Sequence, residues 1–212
     1  MSFPREITYL AAIVAVVVCA ETVSAQKLRE MAREQSIRNP GVPLLIPQAP
    51  SDYLPKTIEE LAMESEVVLQ ARMSKVESYL GASGNQVLTD FSILAPQVIA
   101  GRINPVSVRR PGAGVPLILT VWGGEVVVDG VPIRGVKTDS EPIKDGAQYL
   151  LFLRQARQSG PGRYEIYYGG AFEIVHGEAK PLLRNADTVF KGTNDTHLTE
   201  MTSRIQKATR GR

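Results

Sequence analysis

Residues 66–78, EVVLQARMSKVES, decide the fold class, because apolar residues recur there at every second position. Val67, Leu69, Ala71 and Met73 alternate with Val68, Gln70, Arg72 and Ser74. Successive side chains of an extended chain point to opposite faces, so this period predicts a strand with one apolar face. Just upstream the period is helical. Thr57 and Glu60 have the spacing of a capping box, and TIEELAMES carries Ile58, Leu61 and Ala62 as an apolar stripe. Downstream, Gly81–Asn85 reads as a turn and residues 86–99 as a long second strand, bent at Pro96. Residues 101–114 read as a loop and 115–122 as a third strand, continued past Gly123-Gly124 by 125–129. Residues 130–147, with Pro132, Gly135, Pro142 and Gly146, read as loop. Gln148 to Arg154, QYLLFLR, is apolar on both faces and is expected to be the most buried strand. Strands at 163–168 and 171–175 follow, separated by Gly169-Gly170. Residues 196–208 are expected to form a C-terminal helix, with Leu198, Met201 and Ile205 in register.

Five to seven short strands with little helix between them predict a mainly β fold. The expected form is a small antiparallel barrel, preceded by a short helix and followed by a C-terminal one. The ends of the chain carry a different signal. Arg5 precedes the apolar run Tyr9 to Ala20, and Val23-Ser24-Ala25 has the short residues that a signal peptidase reads. This predicts a leader over 1–25, cleaved between Ala25 and Gln26, and a periplasmic or secreted product. The run is too short to span a bilayer, which needs about 20 apolar residues, so no stable span is expected after cleavage. The leader contains Cys19, the sole cysteine, so the mature chain would form no internal disulfide and no thiolate metal site. Removing Arg5, Glu6 and Glu21 leaves 23 basic against 20 acidic residues, too even a balance to advertise nucleic acid as a partner. Residues 26–38 have a helical stripe of Leu28, Met31, Ala32 and Gln35. Five prolines between 39 and 56 make an extended linker, and they bar its Leu44-Leu45-Ile46 from a central strand. The expected organisation is therefore leader 1–25, extension and linker 26–56, β domain 57–192, and C-terminal helix and tail 193–212.

The order of EVVLQARMSKVES, LAPQVIAG, LILTVWGGEV, DGAQYLLFL and YYGGAFEIV resembles a loose group of bacterial exported domains. The architecture looks like the five-stranded OB-type barrel, also used by tissue inhibitors of metalloproteinases and netrin-like modules. The resemblance covers residues 57–190 and rests on structural rather than chemical motifs. It implies the fold and transfers no functional residue. Those inhibitors chelate zinc through a disulfide-bonded N-terminal cysteine, and the mature chain here would have none.

Candidate sites are few. His176 and His197 are the only histidines, with no zinc-ligand spacing around them, so neither metal nor cofactor is expected. No serine sits in G-x-S-x-G, and no glycine-rich loop opens a helix. A hydrolase using His176 as base is one alternative, and a structural envelope or matrix component is another. The leading expectation is a non-catalytic module that binds a protein or glycan. Arg102, Arg109 and Arg110 make a basic loop, Tyr164, Tyr167 and Tyr168 an aromatic strand, and Trp122 is either core or a stacking surface. Arg109, Arg110, Trp122 and Tyr168 form the expected binding surface. Oligomeric state is not legible from the sequence.

Overall fold

Thr57 ends an extended stretch and its hydroxyl accepts the Glu60 N–H, while the Glu60 carboxylate accepts the Thr57 N–H at 2.8 Å. This reciprocal cap starts helix α2 (Ile58–Glu64), as the spacing predicts. The structure, a computed structural model, describes residues 27–48, 56–103, 117–156, 162–191 and 197–211. The expected leader and cleavage point, and the loop bearing Arg109 and Arg110, lie outside these residues. The chain is mainly β, with antiparallel sheets and a C-terminal helix. It divides into two compact units. Among the described residues, one comprises 27–47, 78–88 and 122–136, and the other 48, 56–77, 89–103, 117–121, 137–156, 162–191 and 197–211.

In the first unit, helix α1 spans residues 27–38 and strand β1 spans Leu44–Gln48. Strand β1 lies at the edge of a three-stranded sheet ordered β1-β7-β6, the position its proline permits. Strands β6 (Gly124–Val128) and β7 (Val131–Lys137) form an antiparallel hairpin closed by the pair Val128 and Val131. Its two-residue loop is Asp129-Gly130, both at positive φ (50° and 81°), the backbone that a tight hairpin between twisted strands demands. The expectation of loop over 130–147 is thus corrected for residues 131–137. Pro132 and Gly135 read as breakers, but the Asp-Gly hairpin signal between valine runs was the stronger one. Gly135 is there for space, since a Cβ would lie 2.9 Å from the Val87 Cβ. Leu28, Ala32, Val87, Val131 and Ile133 are the buried core of this unit. Met31, expected on the buried stripe of α1, is exposed.

In the second unit, strands β3 (Val67–Leu80), β4 (Val87–Gly101), β5 (Ile118–Trp122), β8 (Gln148–Gln155), β9 (Arg163–Val175) and β10 (Glu178–Pro181) make a six-stranded sheet. The order is β10-β9-β5-β4-β3-β8, with a further pairing of β9 to β8. The tips of β3 and β4 and the end of β5 count with the first unit. Two short seams among the described residues depart from the antiparallel expectation, being parallel, and the first pairs β5 with β9 through Ile118–Arg163 and Leu119–Tyr164. A short second seam joins β2 (Lys56–Thr57) to β11 (Phe190–Lys191), which follows the one-turn helix α3 (Ala186–Val189).

Strand β8 is the most buried, as its composition predicts, and the structure supplies the reason. Tyr149, Leu151 and Leu153 pack with Val67, Leu69, Met73, Phe91 and Leu119 in one cluster. Leu150 and Phe152, on the opposite face, pack with Phe172, Phe190, Ile58, Leu61 and the Met201 and Ile205 of helix α4 (Leu198–Thr209). One strand therefore serves two cores, which only a run apolar on both faces can do. Helices α2 and α4 are also joined by Arg204, which grips the Glu59 carboxylate with two hydrogen bonds of 2.7 and 3.1 Å.

Candidate functional site

Strand β9 is interrupted where its register against β8 jumps. Ala171 pairs with Leu151 and Ile166 with Leu153, so Phe152 alone stands opposite Tyr167-Tyr168-Gly169-Gly170. The excess chain is taken up by a bulge in which Tyr168 and Gly169 both have positive φ (50° and 69°). Such backbone is ordinary for glycine and an outlier for a bulky aromatic residue. Both glycines are required sterically. A Cβ on Gly169 would lie 2.6 Å from the Leu183 Cδ1, and one on Gly170 would lie 2.8 Å from the Phe152 Cβ. A bulge re-aims the side chains it carries. Here these are Tyr167 and Tyr168, both half-buried, with ring centroids 6.0 Å apart and planes inclined by 42°.

Charged groups surround this tyrosine pair. The Tyr167 hydroxyl donates to Glu64 Oε2 at 2.6 Å, and Lys56 Nζ donates to the same oxygen. Lys56 Nζ also stands 4.8 Å from the centre of the Tyr168 ring, and the Arg154 guanidinium 5.5 Å from that of Tyr167, both within cation–π range. Arg154 in turn bonds Glu165 at 2.5 Å. The Lys56 and Tyr167 hydrogen bonds hold the Glu64 carboxyl below its ordinary pKa. The bond to Glu64 raises that of Lys56 and, with burial second, that of Tyr167. Each pKa is driven further from pH 7, so Glu64 stays ionised, Lys56 charged and Tyr167 protonated and neutral there. The tyrosine pair and its charged neighbours thus form a ledge of fixed charge states, whereas proton transfer wants groups titrating near the working pH.

The second polar cluster crosses three neighbouring strands. Asp90 on β4 is only 3% exposed, and Arg163 on β9 reaches its Oδ2 at 2.5 Å. Thr120 on β5 donates to Asp90 Oδ1 at 2.8 Å and accepts from Arg163 at 3.2 Å. A carboxylate that deep needs its cation. This cluster spans the β9-β5-β4 seam, where the parallel pairing is only two residues long.

The expected surface residues fare differently. Tyr168 is on the ledge. Trp122 belongs to the first unit, is half-buried, and places its Cζ3 3.5 Å from where a Cβ on Gly135 would be. Arg109 and Arg110 lie outside the described residues. Tyr164, grouped with the other tyrosines by sequence, is buried in the cluster with Leu119 and Leu153. His176 is exposed at φ 53° beside Gly177, forming the two-residue loop that joins β9 to β10. That is the place of a turn residue, not of a base in a deep pocket. Lys56, Glu64 and Arg154 were not legible as site residues. The one local signal was a tyrosine pair followed by Gly-Gly inside an otherwise regular strand. Among the described residues no three His, Cys, Asp or Glu side chains gather as metal ligands, and no helix is long and apolar enough to cross a membrane.

No protein-family model matches the chain, and no curated protein matches its sequence.

Proposed function

We propose that the chain is an exported, non-catalytic binding module built on an OB-like barrel, which takes a protein or glycan partner on the Tyr167–Tyr168 ledge. The pairings β3-β4-β5-β9-β8, returned to β3 by β8, support the barrel reading. Taken in chain order, the five strands follow the circuit first, second, third, fifth, fourth and back to first, and a five-stranded Greek-key barrel is the OB architecture. The leader-like N-terminus supports export to the periplasm or beyond.

The observation that carries the binding reading is the positive φ of Tyr168. A bulky residue held there costs roughly 1–2 kcal/mol of backbone strain, and such strain clusters at ligand-binding positions. The ledge offers aromatic faces for stacking and charged groups for orientation, the mix on which sugar rings and exposed peptide side chains are held. The test is calorimetric titration of the purified protein with soluble oligosaccharides and with peptide pools, followed by Tyr168→Ala and Tyr168→Gly. Binding should fall at least tenfold in both variants, while Tyr168→Gly keeps wild-type stability within about 1 kcal/mol because relief of strain offsets lost packing. Unchanged binding of every ligand detected would remove the ledge from the function.

A further inference from the structure

A groove of about 840 Å³ opens in the second unit at the end of β4, away from the tyrosines in sequence and sharing no residue with them. Its first wall is the junction of α2 with β3. There Ser65, buried, donates to the Leu61 carbonyl at 2.7 Å, and the Glu66 carboxylate accepts the Gln155 N–H at 3.0 Å. Gly101 has φ 76°, and a Cβ on it would stand 2.1 Å from the Glu66 carbonyl oxygen, so this wall tolerates nothing larger than glycine. The floor is Val98, Ile99 and Ala100, and the far wall is the last turn of α4 with Gln206, Thr209 and Arg210.

Two features identify what the groove suits. Val98 lines the groove and keeps 44% of its surface exposed. Arg102 and Arg210 both line the groove and are exposed, and neither has a hydrogen bond or ion pair among the described residues. Elsewhere in the same unit Arg154, Arg163, Arg184 and Arg204 each hold a carboxylate, and Arg72, outside the groove, holds none among the described residues. With Glu66 counted, the ionised groups lining the groove sum to a single positive charge. The volume lies within the range of small-ligand sites, roughly 300–1,000 Å³.

We infer that this groove binds a small amphipathic monoanion, an apolar chain ending in one carboxylate, with the chain on Val98 and Ile99 and the carboxylate between Arg102 and Arg210. Arginine matches the task, since its planar fork donates to both carboxylate oxygens. Two arginines without carboxylate partners among the described residues, beside an exposed apolar strip, are the chemistry that such a ligand completes. A dianion would exceed the charge available, and a neutral chain would leave both guanidiniums unused.

The probe is octanoate, with octanamide as its uncharged counterpart, followed by amide NMR shifts of the purified protein. Octanoate should move the signals of residues 98–102 and 206–211 and bind at least tenfold tighter than octanamide. Arg102→Gln and Arg210→Gln should each weaken octanoate about tenfold, the loss of one charge-assisted pair, and leave octanamide unaffected. Both arginines are exposed, so the variants should fold, and unchanged shifts elsewhere in the spectrum check this. Equal affinity for the acid and the amide would overturn the proposal, as would shifts confined to other parts of the chain or arginine variants that bind as wild type. Tyr168→Ala should leave octanoate binding intact, which separates failure of this site from failure of the ledge.

Discussion

The two compact units are stabilised very differently. The larger one has two apolar clusters sharing the strands β8 and β9, with aromatic packing such as Phe152 on Phe172 at 5.9 Å. Among the described residues the smaller one has a single cluster of five buried hydrophobic residues and a hairpin, and it leaves Ile37, Leu45 and Val127 well exposed. A cooperative core needs elements with apolar residues on more than one side. Strand β8 qualifies, whereas β6 and β1 contribute only partly buried residues. Opening free energies within one chain should therefore differ, lowest where buried apolar area is least.

Deleting the shared core should have the largest effect. Phe152→Ala should destabilise the larger unit by about 3–5 kcal/mol, measured by chemical denaturation, because the ring is fully buried between helices and sheet. A loss under 1 kcal/mol would mean the two clusters repack independently. Next, Ile133→Ala should cost about 2–4 kcal/mol in the smaller unit. Hydrogen exchange should then quicken in residues 122–136 while the amides of β8 keep their protection. Equal loss in both would show that the units open as one. Third, Arg163→Gln should destabilise by about 1–2 kcal/mol, because Asp90 loses the cation that its burial requires while Thr120 still donates to it. Recovery in Asp90→Asn/Arg163→Gln would identify the buried charge as the cause.

Smaller effects test the seams. The Arg204 hydrogen bonds set the Glu59 pKa below its ordinary value. Glu59 thus adds stability above the unfolded value of about 4.3, and that share is lost as pH falls through the lower folded value. The pair is about a third exposed, so the effect should be under about 1 kcal/mol. Amide protection of α4 should drop between pH 4 and lower values in the wild type and be flat there in Glu59→Gln. Smallest of all, His176→Asn should stabilise by about 0.5 kcal/mol, since Asn-Gly suits a two-residue loop with both φ positive. A loss of stability would mean that the His176 ring has a structural role.

Legibility followed distance along the chain. The Thr57–Glu60 cap was readable because both partners lie within one helical turn, and β8 because its own eight residues show two apolar faces. Strand β7 was missed because Pro132 and Gly135 weigh against a strand locally, whereas its pairing with β6 and its close approach to Val87 are tertiary facts. The ledge was half visible. Tyr168 stood out beside Gly169-Gly170, but Lys56 and Glu64 come from more than a hundred residues earlier, and no local pattern links them to it.

What the sequence alone determined is the alternation that makes strands, the caps and hairpin loops that end them, and the apolar content that demands a core. Those depend on neighbours a few bonds apart. Tertiary structure alone decided which strands pair, that β5 meets β9 in parallel, and that Tyr167 and Tyr168 bulge out beside Glu64. Those choices turn on contacts between remote residues, where a close approach permitted only by glycine, or a buried charge needing its partner, outweighs any local preference.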